Sequence, residues 1–232
     1  ADRAWTSRQV GAVEAQALTA MDWRMLIRRC PSRSFTIVGD VAQTSALGGT
    51  RSWRRMMDPL FGPHNWSLNE LTINYRNPKE VSQLACDFAS AEGLYISTVN
   101  AVRGVADSVR RLTLTDESLL ADAVAHQAID LVRAHVGADG TGRVAIIAPD
   151  ALLASLRARV YAELRQTLAP KEFERLSSQS SWDEQVTICS TRTVKGLEYD
   201  AVMVVQPGRI EEDAPSRNVA ATDLYVDLTS PT

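Results

Sequence analysis

Three short apolar segments in the second half of the chain constrain its fold more than any other feature. They lie at residues 144–148, 186–190 and 201–205, and each has the length of a strand without regular polar alternation. Helical patterns at residues 117–135 and 152–168 precede the first two of them. Strands that are apolar on both faces and alternate with helices indicate a parallel sheet covered by helices. The sequence therefore predicts an α/β fold.

The first half of the chain contains a helix with a clear beginning and end. Thr19 can cap it and Pro31 can stop it, and Met21, Met25 and Leu26 are the expected apolar positions. Four further elements are expected: strands at residues 34–38, 68–73 and 109–115, and a helix at residues 78–91.

Three polar segments adjoin expected strands, where ligands bind in parallel sheets. They are Gly39-Asp40-Val41-Ala42-Gln43, Asn74-Tyr75-Arg76 and the turn Lys195-Gly196-Leu197-Glu198. An amide can bind an anion, a tyrosine ring can stack on a base, and a guanidinium group can bind a phosphate. Each segment also has a plain structural interpretation: a strand end capped by Asp40, a surface tyrosine beside an ion-paired arginine, and a charged β-turn.

In this order and spacing, the three segments resemble motifs III, IV and V of the UvrD/Rep-like superfamily 1 helicases. The resemblance covers about residues 14 to 232. Residues 15–43 resemble most closely the helicase IV branch, which includes the HelD-type factors that act on bacterial RNA polymerase. The resemblance implies a RecA-like P-loop NTPase motor fold, with a parallel sheet flanked by helices. Residues 1–73 would be the tail of the first motor domain and residues 74–232 the second, with motifs IV, V and a degenerate VI.

The resemblance also implies a role for individual residues in an ATP-driven motor. ATP and Mg²⁺ would be the cofactors, and Glu14 would be the catalytic base that orients the attacking water. Four residues would contact the nucleotide: Gln43 at its terminal phosphate, Tyr75 on the adenine, Arg76 at the terminal phosphate and Glu198 at the sugar.

The resemblance implies an ATP-dependent helicase or translocase that moves on single-stranded or duplex DNA. The alternative is a HelD-type factor that binds RNA polymerase and releases it from nucleic acid. Lys195 and Arg192 would lie at the DNA backbone. Trp53 follows motif III where relatives place an aromatic residue that stacks on a base, but a tryptophan of the core is an equal alternative. The net charge of −3 provides no overall attraction for nucleic acid, so DNA would need a local basic surface.

The sequence departs from the family at the positions that hydrolysis needs. It contains no Gly-x-x-x-x-Gly-Lys-[Ser/Thr] loop, and Val13 replaces the aspartate that holds Mg²⁺ in motif II. In motif VI, Ser230 replaces the arginine finger and Asp227 replaces a small residue. We therefore expect an N-terminally incomplete motor, or a degenerate scaffold that has lost hydrolysis. In either case this chain alone should not hydrolyse ATP.

The remaining features predict a cytoplasmic protein with no membrane association. No apolar run approaches the roughly 20 residues that cross a bilayer. The first residues lack the apolar core of a secretory signal. Cys30, Cys86 and Cys189 are too far apart in sequence for a zinc motif, and the three histidines have no ligand spacing. No metal site made of cysteine or histidine is expected.

Overall fold

The computed structural model describes residues 6–44, 49–50, 52–94, 96, 100–137, 139–177, 185–194, 198–213 and 217–229. The chain divides into two compact units. Unit 1 comprises Ala1–Thr72 with Gly93–Thr98, and unit 2 comprises Ile73–Glu92 with Val99–Thr232.

The described residues form short strands and longer helices. The strands are β1 (Val10–Ala12), β2 (Phe35–Ile37), β3 (Ile73–Pro78), β4 (Asn100–Arg103), β5 (Val144–Ile147), β6 (Val186–Cys189) and β7 (Ala201–Val204). The helices are α1 (Ala20–Arg29), α2 (Trp53–Phe61), α3 (Lys79–Ala91), α4 (Leu120–His135), α5 (Leu153–Thr167), α6 (Pro170–Ser177), α7 (Thr191–Val194), α8 (Pro207–Asp213) and α9 (Arg217–Thr229).

Unit 1 contains a parallel pair of strands, β1 and β2, in which Ala12 is opposite Ile37. Helix α1 connects them and begins with a complete capping box, in which Thr19 and Asp22 bind each other's backbone N–H groups. The Asp22 carboxylate accepts hydrogen bonds from Thr19, which lower its pKa. The cap confirms the predicted start of this helix.

Of the three predicted apolar positions of α1, Leu26 packs against the unit 1 core, but Met21 and Met25 do not. Trp23 is fully buried and meets Phe35 edge-to-face with a centroid distance of 6.4 Å, whereas Met21 and Met25 are 61% and 58% exposed. Trp23, Leu26 and Ile27 lie on one side of the helix and the two methionines lie on the other. The helix carries two apolar stripes, and the one with the largest side chain, which removes the most apolar surface from water, is buried.

The centre of unit 2 is β5, which pairs in parallel with β6 on one side and β7 on the other. All four β5 side chains are fully buried. One core cluster includes residues of β5, α4 and α5, and a second includes Ala145, Ile147, Tyr199 and Leu224. These elements confirm the strands predicted at residues 144–148, 186–190 and 201–205 and the helices predicted at residues 117–135 and 152–168. A further helix, α6, begins at Pro170.

The second sheet of unit 2 differs from the prediction. Residues 68–72 are not a strand, and Leu71 is 85% exposed; the strand begins at Ile73 and is β3. Residues 109–115 are not a strand either, and β4 pairs in parallel with β3 instead. An apolar alternation forms a strand only where a neighbouring strand satisfies its backbone groups.

The described chain is therefore a mixed α/β protein with short parallel sheets and helices. None of its described helices has the length and apolar character that crossing a membrane requires.

The burial of Trp23, rather than Met21 and Met25, can be tested by substitution. We expect Trp23→Ala to lower the free energy of unfolding by about 3–5 kcal/mol, because it empties a fully buried site. Met25→Ala should change it by less than about 0.5 kcal/mol, because Met25 is exposed. Urea unfolding followed by circular dichroism measures both values. A larger loss for Met25→Ala than for Trp23→Ala would show that the helix packs with its other face.

Candidate functional site

The polar residues of unit 1 meet where its two strands end. Because β1 and β2 are parallel, Glu14 and Asp40 leave the sheet at the same edge. Gln16 connects them: its amide Nε2 donates to Glu14 Oε2 at 2.7 Å, and its Oε1 accepts from the backbone N–H of Asp40 at 3.2 Å. Gln16 is buried, so these bonds are shielded from competing water. We call Glu14, Gln16, Asp40 and Gln43 the strand-end cluster.

Asp40 organises the second half of the strand-end cluster. Its carboxylate accepts hydrogen bonds from the Ala42 backbone N–H at 2.9 Å and from Gln43 Nε2 at 3.2 Å. Burial raises the pKa of Asp40, and the nearby negative charge of Glu14 raises it further, while these two hydrogen bonds lower it. The capped strand end is thus present, and the Gln43 amide is held by Asp40.

Val13 occupies the position where a metal-binding aspartate would be expected in the strand-end cluster. Its side chain is 72% exposed and carries no oxygen. Glu14 follows in the left-handed region, with φ of 53°. Among the described residues, there is no group of three or more acidic, histidine or cysteine side chains placed to hold a metal ion. The residues present do not form a Mg²⁺ site.

Unit 2 brings together two of the predicted nucleotide-binding residues. Arg76 Nη1 lies 3.3 Å from Glu198 Oε1, and both side chains remain partly exposed to solvent. Tyr75, next to Arg76, has its ring on the surface at 72% exposure. We call Tyr75, Arg76 and Glu198 the Arg76 cluster. A tyrosine ring can stack on a base, and a guanidinium group can bind an anion.

The structure corrects the position of Arg76 and Glu198 relative to the strands. Arg76 lies within β3 rather than after a strand. Glu198 lies after α7 and before β7, so it does not directly follow β6. Two residues later, the Asp200 carboxylate accepts a hydrogen bond from the backbone N–H of Arg143, the residue before β5. The Arg76–Glu198 contact therefore joins β3 of one sheet to the segment that precedes β7 of the other sheet.

Asn74, which belongs to the predicted polar segment, and Asn77, which does not, hold the backbone around Arg76. Asn74 Oδ1 accepts from the backbone N–H groups of Arg76 at 2.8 Å and Asn77 at 3.1 Å. Asn77 is buried, accepts from Asn74 Nδ2 at 2.8 Å and donates to the carbonyl of Thr229 at 3.0 Å. The Asn-x-x-Asn-Pro spacing before a helix is a signal for such an Asx turn.

The Asn77–Thr229 bond attaches the Arg76 region to the end of α9, the helix that carries the motif VI match. Asp227 on this helix is fully buried, so it presents no carboxylate to a ligand at the surface. Burial raises the pKa of the Cys189 thiol to about 12, and the Asp227 charge contributes to this rise. Ser230 lies outside the described residues.

The residues predicted to bind nucleic acid come from both units of the chain. Trp53 is half-buried at the start of α2 and packs against the unit 1 core. Arg192 is exposed on α7 in unit 2. Lys195 lies outside the described residues. The packing of Trp53 accounts for its presence without a nucleic acid.

No protein-family model matches the chain, and no curated protein matches its sequence.

Close packing of the strand-end cluster at Gly39 can be tested with a single methyl group. A Cβ at Gly39 would overlap Gln16 Oε1 and lie 3.1 Å and 3.2 Å from the backbone nitrogens of Ala15 and Gln16, whereas a Cβ at Gly11 would meet nothing within 4 Å. We expect Gly39→Ala to destabilise the protein by about 1–3 kcal/mol and Gly11→Ala to have little effect. Thermal unfolding measures both. Equal melting temperatures for the two variants would contradict the cluster's geometry.

Proposed function

We propose that this chain is the motor region of an ATP-dependent superfamily 1 DNA helicase or translocase, with a RecA-like fold. The observation that carries the proposal is the Arg76 cluster. It joins the motif IV and motif V matches through the Arg76–Glu198 contact, and Asn77 joins motif IV to the end of α9. Three motifs selected for their sequence resemblance alone are thus neighbours within unit 2.

The strand-end cluster supports the same proposal independently. Its residues come from the motif II and motif III matches, and they are joined by hydrogen bonds through Gln16. A parallel sheet that presents polar groups at the carboxyl ends of its strands is a common frame for ligand binding. In the proposed function, Gln43 exchanges its bond to Asp40 for a bond to a phosphate oxygen.

In the proposed function, the Arg76 cluster contacts the base and the terminal phosphate of a nucleotide. The Tyr75 ring is open to solvent, so it can stack on adenine without rearrangement. A partly exposed ion pair contributes only about 0–1 kcal/mol. A phosphate oxygen can therefore replace Glu198 as the partner of Arg76 at small cost, and the released Glu198 carboxylate can accept from a sugar hydroxyl.

Mg²⁺ does not fit the described residues of the strand-end cluster. Val13 supplies no oxygen ligand for a cation. This substitution favours a second candidate function: a platform that binds nucleotide and a partner without turnover.

Nucleotide binding is the first test of the proposed function. Titration with fluorescent TNP-ATP should show binding to the chain. Arg76→Ala should weaken it about 10–100-fold, because a charge-assisted hydrogen bond is lost. Tyr75→Ala should weaken it about fivefold, because stacking is lost. Arg110→Ala, which removes another exposed arginine of unit 2, is the control and should have no effect. Absence of binding, or equal losses for Arg76→Ala and Arg110→Ala, would contradict the proposal.

Hydrolysis distinguishes a working motor from a platform. Because Val13 offers no oxygen where the family uses a Mg²⁺ ligand, we expect no steady-state phosphate release from ATP by this chain, with or without single-stranded DNA. A coupled phosphate assay in the presence of Mg²⁺ measures this. Turnover stimulated by DNA would overturn the expectation of inactivity.

A further inference from the structure

Helix α1 presents an outward face that is both apolar and cationic. Met21, Arg24, Met25 and Arg28 follow each other at helical spacings of three and four residues, so they form one stripe. All four side chains are exposed. The stripe lies opposite Trp23, which anchors the helix to the unit 1 core. We call these four residues the α1 stripe.

The charges of the α1 stripe have no counter-charge in the part of the chain that the structure describes. Neither Arg24 nor Arg28 has a hydrogen bond or ion pair through its side chain there. The acidic residue of the same helix, Asp22, is already bound to Thr19 through both the hydroxyl and the backbone N–H. Unit 1 is also basic as a whole: residues 1–72 contain nine arginines and six acidic residues, although the whole chain has a net charge of −3.

The combination of residue types selects the kind of partner. Two exposed methionines one helical turn apart form an adaptable apolar surface, as in proteins that bind amphipathic helices. A nucleic-acid backbone would engage the arginines but would gain little from the methionines. An acidic amphipathic helix satisfies both, because its apolar side covers the methionines and its carboxylates meet the guanidinium groups.

We propose that the α1 stripe is a docking site for an acidic amphipathic helix of a partner protein. The helix of ten residues is about 15 Å long, enough for about three turns of a partner. The stripe lies on the outer face of unit 1, and the proposal depends neither on nucleotide binding nor on the proposed function.

The test uses fluorescein-labelled helical peptides of 18 residues and fluorescence anisotropy. One peptide carries leucines on one face and glutamates on the other, and a second has lysines in place of the glutamates. We expect the acidic peptide to bind the chain at least tenfold more tightly than the basic one. Met21→Ser with Met25→Ser should weaken its binding about tenfold. Arg24→Glu with Arg28→Glu should abolish the preference for the acidic peptide.

Arg54→Glu with Arg55→Glu is the matched control, since it reverses two exposed arginines on another helix of unit 1. It should retain the preference within about twofold. Thermal melts establish that each variant is folded. Three results would overturn the proposal: no preference between the peptides, an equal loss in the control, or no effect of the methionine substitutions. A labelled dT20 strand that binds through Arg24 and Arg28, with no contribution from the methionines, would also overturn it in favour of a polyanion site.

Discussion

Parallel pairing of short strands is the constraint on which the rest of the molecule depends. A parallel strand needs a connection that returns over the sheet, so each pair comes with a covering helix. In unit 1 this is α1 between β1 and β2, and in unit 2 β5 lies between two parallel neighbours. Because strands of one sheet end together, polar residues that are distant in sequence become neighbours at that edge. The strand-end cluster is a direct product of this geometry.

The Arg76 cluster depends on a different kind of connection. Asn74 and Asn77 hold the backbone of β3 in place through side-chain hydrogen bonds, and Asn77 extends this hold to the last turn of α9. The Arg76 guanidinium group therefore projects from a supported backbone. The Arg76–Glu198 ion pair is solvent-exposed and weak. A ligand can therefore displace Glu198 from Arg76 at small cost.

The sequence predicted the elements whose signal is continuous and local. Strands β5, β6 and β7 are apolar on both faces, and helix α1 has a complete cap, so both were found. The sequence does not determine which of the two apolar stripes of α1 is buried, because burial depends on which stripe contacts Phe35. It also missed β4, whose residues form a strand only because β3 is beside them.

In the candidate site too, the sequence identifies single residues but not the long-range contacts between them. Gln43, Arg76 and Glu198 were selected by motif, and the Arg76–Glu198 contact brings two of them together. The Asn77–Thr229 bond spans 152 residues, and no periodicity in the sequence reports such a separation. Trp53 had two interpretations of equal weight, and its packing against the unit 1 core favours the structural one. Long-range polar contacts are therefore the part of the site that cannot be predicted from the sequence and is known only from the structure.

Photolabelling with 8-azido-ATP, followed by peptide mapping, tests most directly whether the Arg76 cluster binds the base and terminal phosphate of a nucleotide, because the reactive group is on the adenine. We expect an adduct on the peptide that contains Tyr75, reduced by excess ATP and absent in Tyr75→Ala. An adduct elsewhere in the chain, or labelling that ATP does not reduce, would show that the nucleotide does not bind at this cluster.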